Sequence, residues 1–465
     1  MQLGIQFRQK SKFTPFFKMS TTTVEWKTAF EPLAFSRQLS TRTAQRPMSL
    51  AEIQRGICEA GRLPLNRATT LPAQAYTSEE FFAWETEHLL RAGWQCVAHV
   101  SQVPSPGDFL NLDLLGEPII VVRGKDETVR ILSRVCPHRA MDIMPEGFGY
   151  AGHSTGEPRD GQPDCGHTRL FLCPYHAWTF ELDGKLKACP EMQQAEDFSR
   201  DEFKLKPFRS EIWQGFIFVN LDGGAAPLAE GLTEMAGDLA AFQLDKMQMV
   251  ITREWDCPFN WKVLVENFME SYHHLGIHHK TLQPMMPARD TWTERERGRY
   301  VRTHLPYKDS VREAYREFEE KGDFSDNLPP ITGLNETQKS EWGLFLVHPT
   351  FLLATAPDRV IWYRLQPLGP DRLRLVTTTL VPSAITARDN FPHMREKALQ
   401  LLTEFHLEDM EVCTAVQRGF YASGWQPGRL SHLEMPVWLF HRYLAARIGG
   451  KWPTDDGAGA PGQRD

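Results

Sequence analysis

The chain has 465 residues, long enough for two or three domains, with 41% hydrophobic and 24% charged residues and a net charge of −7, the make-up of a globular enzyme. Asp and Glu outnumber Lys and Arg by 59 to 52, which argues against nucleic acid as a partner, because that partner selects a basic face. No stretch reaches the roughly 18 uninterrupted apolar residues of a membrane span. Eight cysteines are too few for a disulfide scaffold and fit a reducing compartment, so a cytoplasmic location is expected.

The first 22 residues hold no acid but carry Arg8, Lys10, Lys12 and Lys18 among several Ser and Thr. They loosely resemble an organelle transit peptide. The plainer reading is an N-terminal extension with Met19 as the true start, and residues 1–70 are taken as an extension, partly disordered. Residues 78–93 predict a short amphipathic helix, opened by Ser78 and Glu80 and closed by Gly93. From Trp94 to about Asn220 the pattern changes to short β-like runs: Asn111–Leu115, Pro118–Arg123, Thr128–Ser133, Ala177–Leu182 and Gly215–Asn220. Frequent Gly and Pro between them predict a small all-β domain, with boundaries 71–222.

Two short loops in that domain pair a cysteine with a histidine: Cys136-Pro-His138 and Cys173-Pro-Tyr-His176. Two thiolates for one iron and two imidazoles for the other is the ligand set of a Rieske-type [2Fe–2S] cluster, and the prolines stiffen the loops. Structural zinc also takes two Cys and two His, but its ligand pairs come as Cys-Cys and His-His rather than mixed. Cys165-Gly-His167 repeats the spacing, yet only five residues separate it from Cys173, too few to bracket a cluster from opposite sides. The Gly-, Pro- and Asp-rich stretch 144–169, with His153, reads as a surface insertion.

A second region, 223–455, begins near Gly223. Residues 260–275 predict a helix. Glu270 and His273 are three apart and share its face, Gly276 stops it, and His278 swings back from the following loop. His274 and His279 are read as hydrogen-bonding the carboxylates or facing solvent. A helix is expected over 309–321, then three apolar runs, Leu344–Ala354, Val360–Pro367 and Leu373–Val381, joined by turn sequences into an antiparallel meander. A long helix, roughly Pro392–Ala422, follows. Its apolar stripe runs through Leu402, Phe405, Val412, Val416 and Phe420. Asp409 falls on that stripe, where an ionised carboxylate is costly unless paired or bound to a metal. Glu404, Glu408 and Glu411 lie beside it and are read as solvated. His273, His278 and Asp409 together make a two-histidine, one-carboxylate facial triad for non-haem Fe(II); a core salt bridge for Asp409 is the competing reading. Residues 456–465 read as a disordered tail.

With these motifs in place, residues 75–425 resemble the α-subunits of Rieske non-haem iron oxygenases. The resemblance rests on CPHR (136–139), CPYHAW (173–178), NWK (260–262), ENFMESYHHLGIH (266–278) and ED…VQRG (408–419). It implies an α+β protein: an all-β Rieske [2Fe–2S] domain plus a catalytic helix-grip domain, an antiparallel sheet holding a long C-terminal helix. It further implies a terminal oxygenase with mononuclear Fe(II), O2 as co-substrate, and a homotrimer or a hexamer built from trimers. Electrons would come from NAD(P)H through a separate flavin and iron–sulfur reductase, since the chain has no Gly-rich dinucleotide fingerprint. Glu270 takes the position of the acid that bridges the cluster of one subunit to the iron of the next.

Ala140 and Ala177 stand where the family usually has Gly, the segment between the ligand loops is long, and Glu270 replaces the commoner Asp. Glu at that position resembles the branch that hydroxylates or N-demethylates quaternary-ammonium compounds. Monooxygenation of such a substrate is the expected function. Aromatic cis-dihydroxylation is the alternative, and a Rieske electron carrier without oxygenase activity is a distant one.

Overall fold

The computed structural model describes residues 46–144, 165–294, 299–322 and 324–451. The basic N-terminal stretch, His153 with most of the expected insertion, and the C-terminal tail lie outside them. The chain divides into two compact units, one of residues 90–230 with 243–246, the other of residues 46–89, 231–242 and 247–451. The expected helix at 78–93 lies, up to Leu89, in the unit that holds the C-terminal half.

The first unit is built of β1 (Gln95–His99), β2 (Asp108–Leu114), β3 (Glu117–Arg123), β4 (Val129–Ser133), β5 (Cys165–His167), β6 (Phe171–Leu172), β7 (Thr179–Phe180), β8 (Leu186–Ala188), β9 (Pro207–Trp213) and β10 (Phe216–Asn220). They form a seven-stranded sheet, β1-β10-β9-β4-β3-β2-β5, and a three-stranded sheet, β6-β7-β8. Alternation along each strand sends successive side chains to opposite faces. Phe109, Ile120, Val122 and Leu132 join one core with Cys136, Cys173 and Trp178, while Leu110, Ile119, Val121 and Ile131 join another. The β9–β10 hairpin turns on Gln214 and Gly215, both left-handed at φ 49° and 81°, the conformation a two-residue primed turn requires. A Cβ on Gly215 would stand 2.6 Å from Asp245 Cα.

The second unit carries β11 (Met247–Cys257), β12 (Trp292–Thr293), β13 (Tyr300–Pro306), β14 (Glu341–Val347), β15 (Phe351–Ala356), β16 (Arg359–Gly369) and β17 (Arg372–Pro382) in one antiparallel sheet, β11-β17-β16-β15-β14-β13-β12. The run Leu344–Ala354, expected as one strand, is two. His348, Pro349 and Thr350 interrupt it, because Pro349 has no N–H to give a ladder. The expected helix at 309–321 forms as Asp309–Lys321.

Five further helices frame this sheet: α1 (Leu50–Arg62), α2 (Glu79–Glu85), α3 (Trp261–Met269), α4 (Phe391–Phe420) and α5 (Met435–Gly449). Helix α1 lies inside the expected N-terminal extension and starts on a capping box, Ser49 Oγ accepting from Glu52 N and Glu52 Oε2 from Ser49 N at 2.8 Å. It packs on α5 at Gly61, where a Cβ would meet Ala445 Cβ at 2.5 Å. Residues directly opposite in antiparallel strands share a face. Trp255 on β11 and Tyr363 on β16 are tied to one face through Thr377, which accepts from Trp255 Nε1 at 3.0 Å and pairs with Tyr363 in register. Helix α4 lies on that face, with Phe405 against Trp342, His406 against Trp255 and Tyr363, and Met410 against Cys257. Its buried stripe is Leu402, Phe405, His406, Cys413, Gln417 and Phe420, while Val416 is exposed and Val412 half-buried. The expected stripe thus drifts by one residue toward Cys413.

Helix α3 begins at Asn260, whose side chain caps Lys262 N, and Lys262 is fully buried against Glu85 of α2 at 2.6 Å. The rings of Trp261, Phe81 and Tyr76 surround the ammonium at 5.1–5.6 Å. A buried ion pair needs this company to offset its desolvation. Its effect is to lock the segment carrying Glu270 and the histidines onto the N-terminal helices.

Candidate metal centres

The two cluster loops have the same backbone construction. Cys136 N donates to Met141 O at 2.8 Å and Ala140 N to Cys136 O at 3.0 Å; in the second loop Cys173 N donates to Trp178 O at 2.8 Å and Ala177 N to Cys173 O at 3.1 Å. Each loop folds back on its own cysteine five residues later. Closing so tight a loop puts its fifth residue in the left-handed region: Ala140 at φ 55° and Ala177 at φ 59°. A Cβ is disfavoured there and Gly is not, a physical reason for glycine at these positions. Ala177→Gly is expected to raise stability by about 1 kcal/mol with the visible spectrum of the loaded protein unchanged. Thermal unfolding checks this, and a lower midpoint would contradict it.

The loops bring four donors together. Both cysteines are buried and their thiols are hydrogen-bonded to each other. The N–H groups of His138 and Arg139 point at the Cys136 sulfur, and those of Tyr175 and His176 at the Cys173 sulfur. The hydrogen bond from Cys136, aided by those N–H groups, holds the Cys173 thiol below its ordinary range against the effect of burial. The His138 and His176 rings lie 4.7 Å apart at 71°. Trp178 stacks on His138 at 4.6 Å and 6°, and Phe203 braces Trp178 edge-on at 5.5 Å. Burial, with the neighbouring His176 and Arg139 charges, lowers the His138 pKa. Two sulfurs inside and two neutral imidazoles outside are the donor set a Rieske cluster needs. Cys165 and His167 are elsewhere: β5 pairs with β2, and His167 Nδ1 binds Asp108 at 2.9 Å.

The second group of donors lies wholly within the other unit. Helix α3 ends at Met269, six residues short of the expected 275, and Glu270 is its extended C-cap at φ −114°, ψ 163°. The Glu270 carboxylate takes the N–H groups of Tyr272 and His273, so the side chain itself competes with the helix. His273 then lies in a 3₁₀ turn, Tyr272–Leu275, and its Nδ1 meets Glu270 Oε1 at 2.5 Å. The pair expected from a shared helix face forms without the helix.

His278 is fully buried. Its Nε2 faces Asp409 Oδ1 at 3.0 Å, and its Nδ1 faces Glu408 Oε2 at 2.6 Å. His273 Nε2 is 3.6 Å from the same Asp409 oxygen. One ligand atom each from His273, His278 and Asp409 falls within a 4.8 Å span. Burial alone would raise the Asp409 pKa, but the hydrogen bond from His278 and the nearby histidines outweigh it and hold the carboxyl below its ordinary value. Burial opposes protonation of His273, and the charges of Glu270 and Asp409 reverse that, leaving its pKa raised.

Glu408, expected in solvent, is instead the acceptor for His278, and Thr281 Oγ1 donates to the same oxygen at 2.7 Å. Both histidines thus have Nδ1 held by a carboxylate and Nε2 turned to a common point, the arrangement by which outer partners fix the tautomer of a metal-binding imidazole. Helical periodicity put Glu408 beside Asp409 but gave no sign that His278 reaches it. His274 is buried, bonds Met286 O at 3.2 Å, and is pushed down to about 3 by burial. His279 is exposed and bonds Gly276 O. Neither joins the donor group. His406, not singled out from sequence, lies beside the site: buried, its Nδ1 4.0 Å from Asp409 Oδ2, and pushed down to about 4 by burial.

Among the described residues no helix is long and apolar enough to cross a membrane. Residues 93–206 match the model of the Rieske [2Fe-2S] domain, and residues 244–450 that of the ring hydroxylating alpha subunit (catalytic domain). The carnitine monooxygenase oxygenase subunit of Acinetobacter pittii is 34% identical over 208 residues, 44% of this chain and 52% of that protein. The match thus spans about half the length of this relative. The chloroplastic choline monooxygenase of Arabidopsis thaliana is 25% identical over 411 residues, 86% of this chain and 88% of that protein. A crystal structure of a quaternary ammonium Rieske monooxygenase has a TM-score of 0.66 at 22% identity, covering 87% of this chain and 99% of that one, a likeness of fold.

Proposed function

Carrying a Rieske [2Fe–2S] domain and the catalytic domain of ring-hydroxylating alpha subunits, the chain belongs with the Rieske non-haem iron oxygenase α-subunits, and from that premise we propose that it is the terminal oxygenase of a quaternary-ammonium monooxygenase. It would use O2 and electrons from NAD(P)H, delivered by a separate reductase, to hydroxylate or N-demethylate its substrate. The observation that carries this reading is the convergence of His273 Nε2, His278 Nε2 and Asp409 Oδ1. Two neutral imidazoles and one carboxylate suit Fe(II) and leave positions open for O2 and substrate. The cluster, when bound, supplies electrons one at a time, and the mononuclear iron supplies O2 activation.

The chain's own residues set up that chemistry. Cys136 and Cys173 would hold one cluster iron, and His138 and His176 the other. Glu270 accepts from His273 Nδ1, fixing that tautomer and making the imidazole a better donor. In a trimer it would also stand on the electron path from the neighbouring subunit. Glu408 does for His278 what Glu270 does for His273. Glu408→Ala is therefore expected to weaken iron binding about 10- to 100-fold and leave the cluster spectrum unchanged. Iron titration of the variant checks this, and wild-type affinity would remove Glu408 from the account.

The substrate class is supported by Glu270 standing where Asp is commoner, and by relatives named for carnitine, choline and glycine betaine. Oxygen uptake with a generic reductase, over a panel of betaines, choline and aromatic acids, tests it. Uptake coupled to hydroxylated or demethylated ammonium product is expected. A cis-diol from an aromatic acid would establish dioxygenation instead.

A further inference from the structure

His406 is the buried polar group of the mononuclear site that the chemistry above leaves without a task. It is 1% exposed on α4, three residues before Asp409, and neither ring nitrogen has a hydrogen-bond partner among the described residues. Its neighbours are occupied. Thr377 accepts from Trp255, and both nitrogens of His278 are held by Glu408 and Asp409. Asp409 Oδ2 is 4.0 Å from His406 Nδ1, beyond hydrogen-bond reach. An imidazole this deeply buried with both nitrogens unpaired is costly, and native interiors rarely leave such a group unmatched. A ring so placed is a candidate to bind a group that enters the site.

The surroundings indicate what enters. Trp255 and Tyr363 meet the His406 ring edge-on at 4.9 Å and 5.3 Å, and Phe268 stands 4.7 Å from Tyr363. These residues come from β11, β16 and α3 and form an aromatic wall around one polar ring beside the metal donors. Aromatic faces attract a quaternary ammonium head, and a neutral imidazole donates through one nitrogen and accepts through the other.

We propose that His406 is the substrate-positioning residue of this site: it hydrogen-bonds an oxygen on the arm of a quaternary-ammonium substrate, carboxylate or hydroxyl, while the cationic head lies among Trp255, Tyr363 and Phe268. This rests on the reading of function above and narrows it to substrates with an oxygen-bearing arm.

The test uses anaerobic binding calorimetry on the protein loaded with both metal centres. Wild type, His406→Phe and His406→Gln are titrated with glycine betaine, choline and tetramethylammonium, and the iron content of each variant is measured. His406→Phe keeps the volume and removes the polar atoms. It is expected to weaken the better-bound of glycine betaine and choline about tenfold or more, a lost hydrogen bond. Tetramethylammonium, which has no arm, should bind as to wild type. His406→Gln should recover part of the loss, and iron content should stay constant. The ligand that loses more identifies the arm as carboxylate or hydroxyl.

Unchanged binding of all three ligands by His406→Phe overturns the assignment, as does an equal loss for tetramethylammonium. Iron loss from His406→Phe would also overturn it, placing the residue in support of Asp409. If wild type itself binds none of the three, the substrate class proposed above fails and this assignment falls with it. That result is distinct from wild-type binding that the variants leave untouched.

Discussion

Asp409→Ala is expected to leave the visible spectrum of the Rieske cluster intact while the mononuclear iron is lost and turnover falls by more than about a hundredfold. The magnitude follows from the geometry. Removing an outer partner of a metal ligand typically costs about 10- to 100-fold, and Asp409 is itself one of three donors. Its carboxylate also holds the histidines in register, at 3.0 Å from His278 Nε2 and 3.6 Å from His273 Nε2. The methyl group of alanine leaves two imidazoles facing a gap. The folded state should survive, because α4 remains anchored by Leu402, Phe405, Cys413 and Phe420. The Rieske loops belong to the other compact unit, so their spectrum is the internal control. Iron analysis and substrate turnover give the result, and a variant that keeps its mononuclear iron would return Asp409 to the role of a core acid in an ion pair.

The second large effect is expected at Glu270. Glu270→Gln preserves shape, but with its amide oxygen accepting from the N–H groups of Tyr272 and His273 it turns its NH2 toward His273 Nδ1. It removes the Glu270 negative charge beside His273 Nδ1, the main influence raising the His273 pKa against burial. Both metal centres should load once iron is supplied in excess of the affinity that losing this partner costs, while electron transfer from cluster to iron slows about 10- to 100-fold. The two variants thus separate the functions: Asp409→Ala loses iron, and Glu270→Gln keeps it but stalls its reduction. Stopped-flow reoxidation of the pre-reduced cluster in a single turnover measures this. A wild-type rate would remove Glu270 from the electron path.

The residues that converge at the two candidate metal centres were legible because each is a local signal. Cysteine and histidine two or three apart on a Gly- and Pro-bounded loop announce a metal, and an acid on an apolar helical stripe announces a paired or metal-bound charge. The β runs and the long helix were legible from period and punctuation. What escaped depends on groups far apart in sequence. Glu408 sits at a half-buried helical position, and its task is set by His278, 130 residues away. His406 reads as an ordinary stripe residue until Trp255 and Tyr363 enclose it. The early end of α3 escaped for a different reason. Residues 270–275 have a helical pattern, but the Glu270 side chain takes the backbone N–H groups a helix would use. The α1–α5 pair escapes because α1 lies in a stretch that reads as an extension, and its partner is about 380 residues downstream.

The central claim is that one chain houses both an iron–sulfur electron supply and a separate iron site. Iron and acid-labile sulfide analysis of the purified protein, read beside its visible spectrum, tests it most directly. The purified protein is expected to hold about three irons and two sulfides per chain with Rieske absorption, falling to two irons and two sulfides in Asp409→Ala. Zinc in place of iron with no visible absorption, or a wild-type protein that never holds more than the two cluster irons, would contradict it.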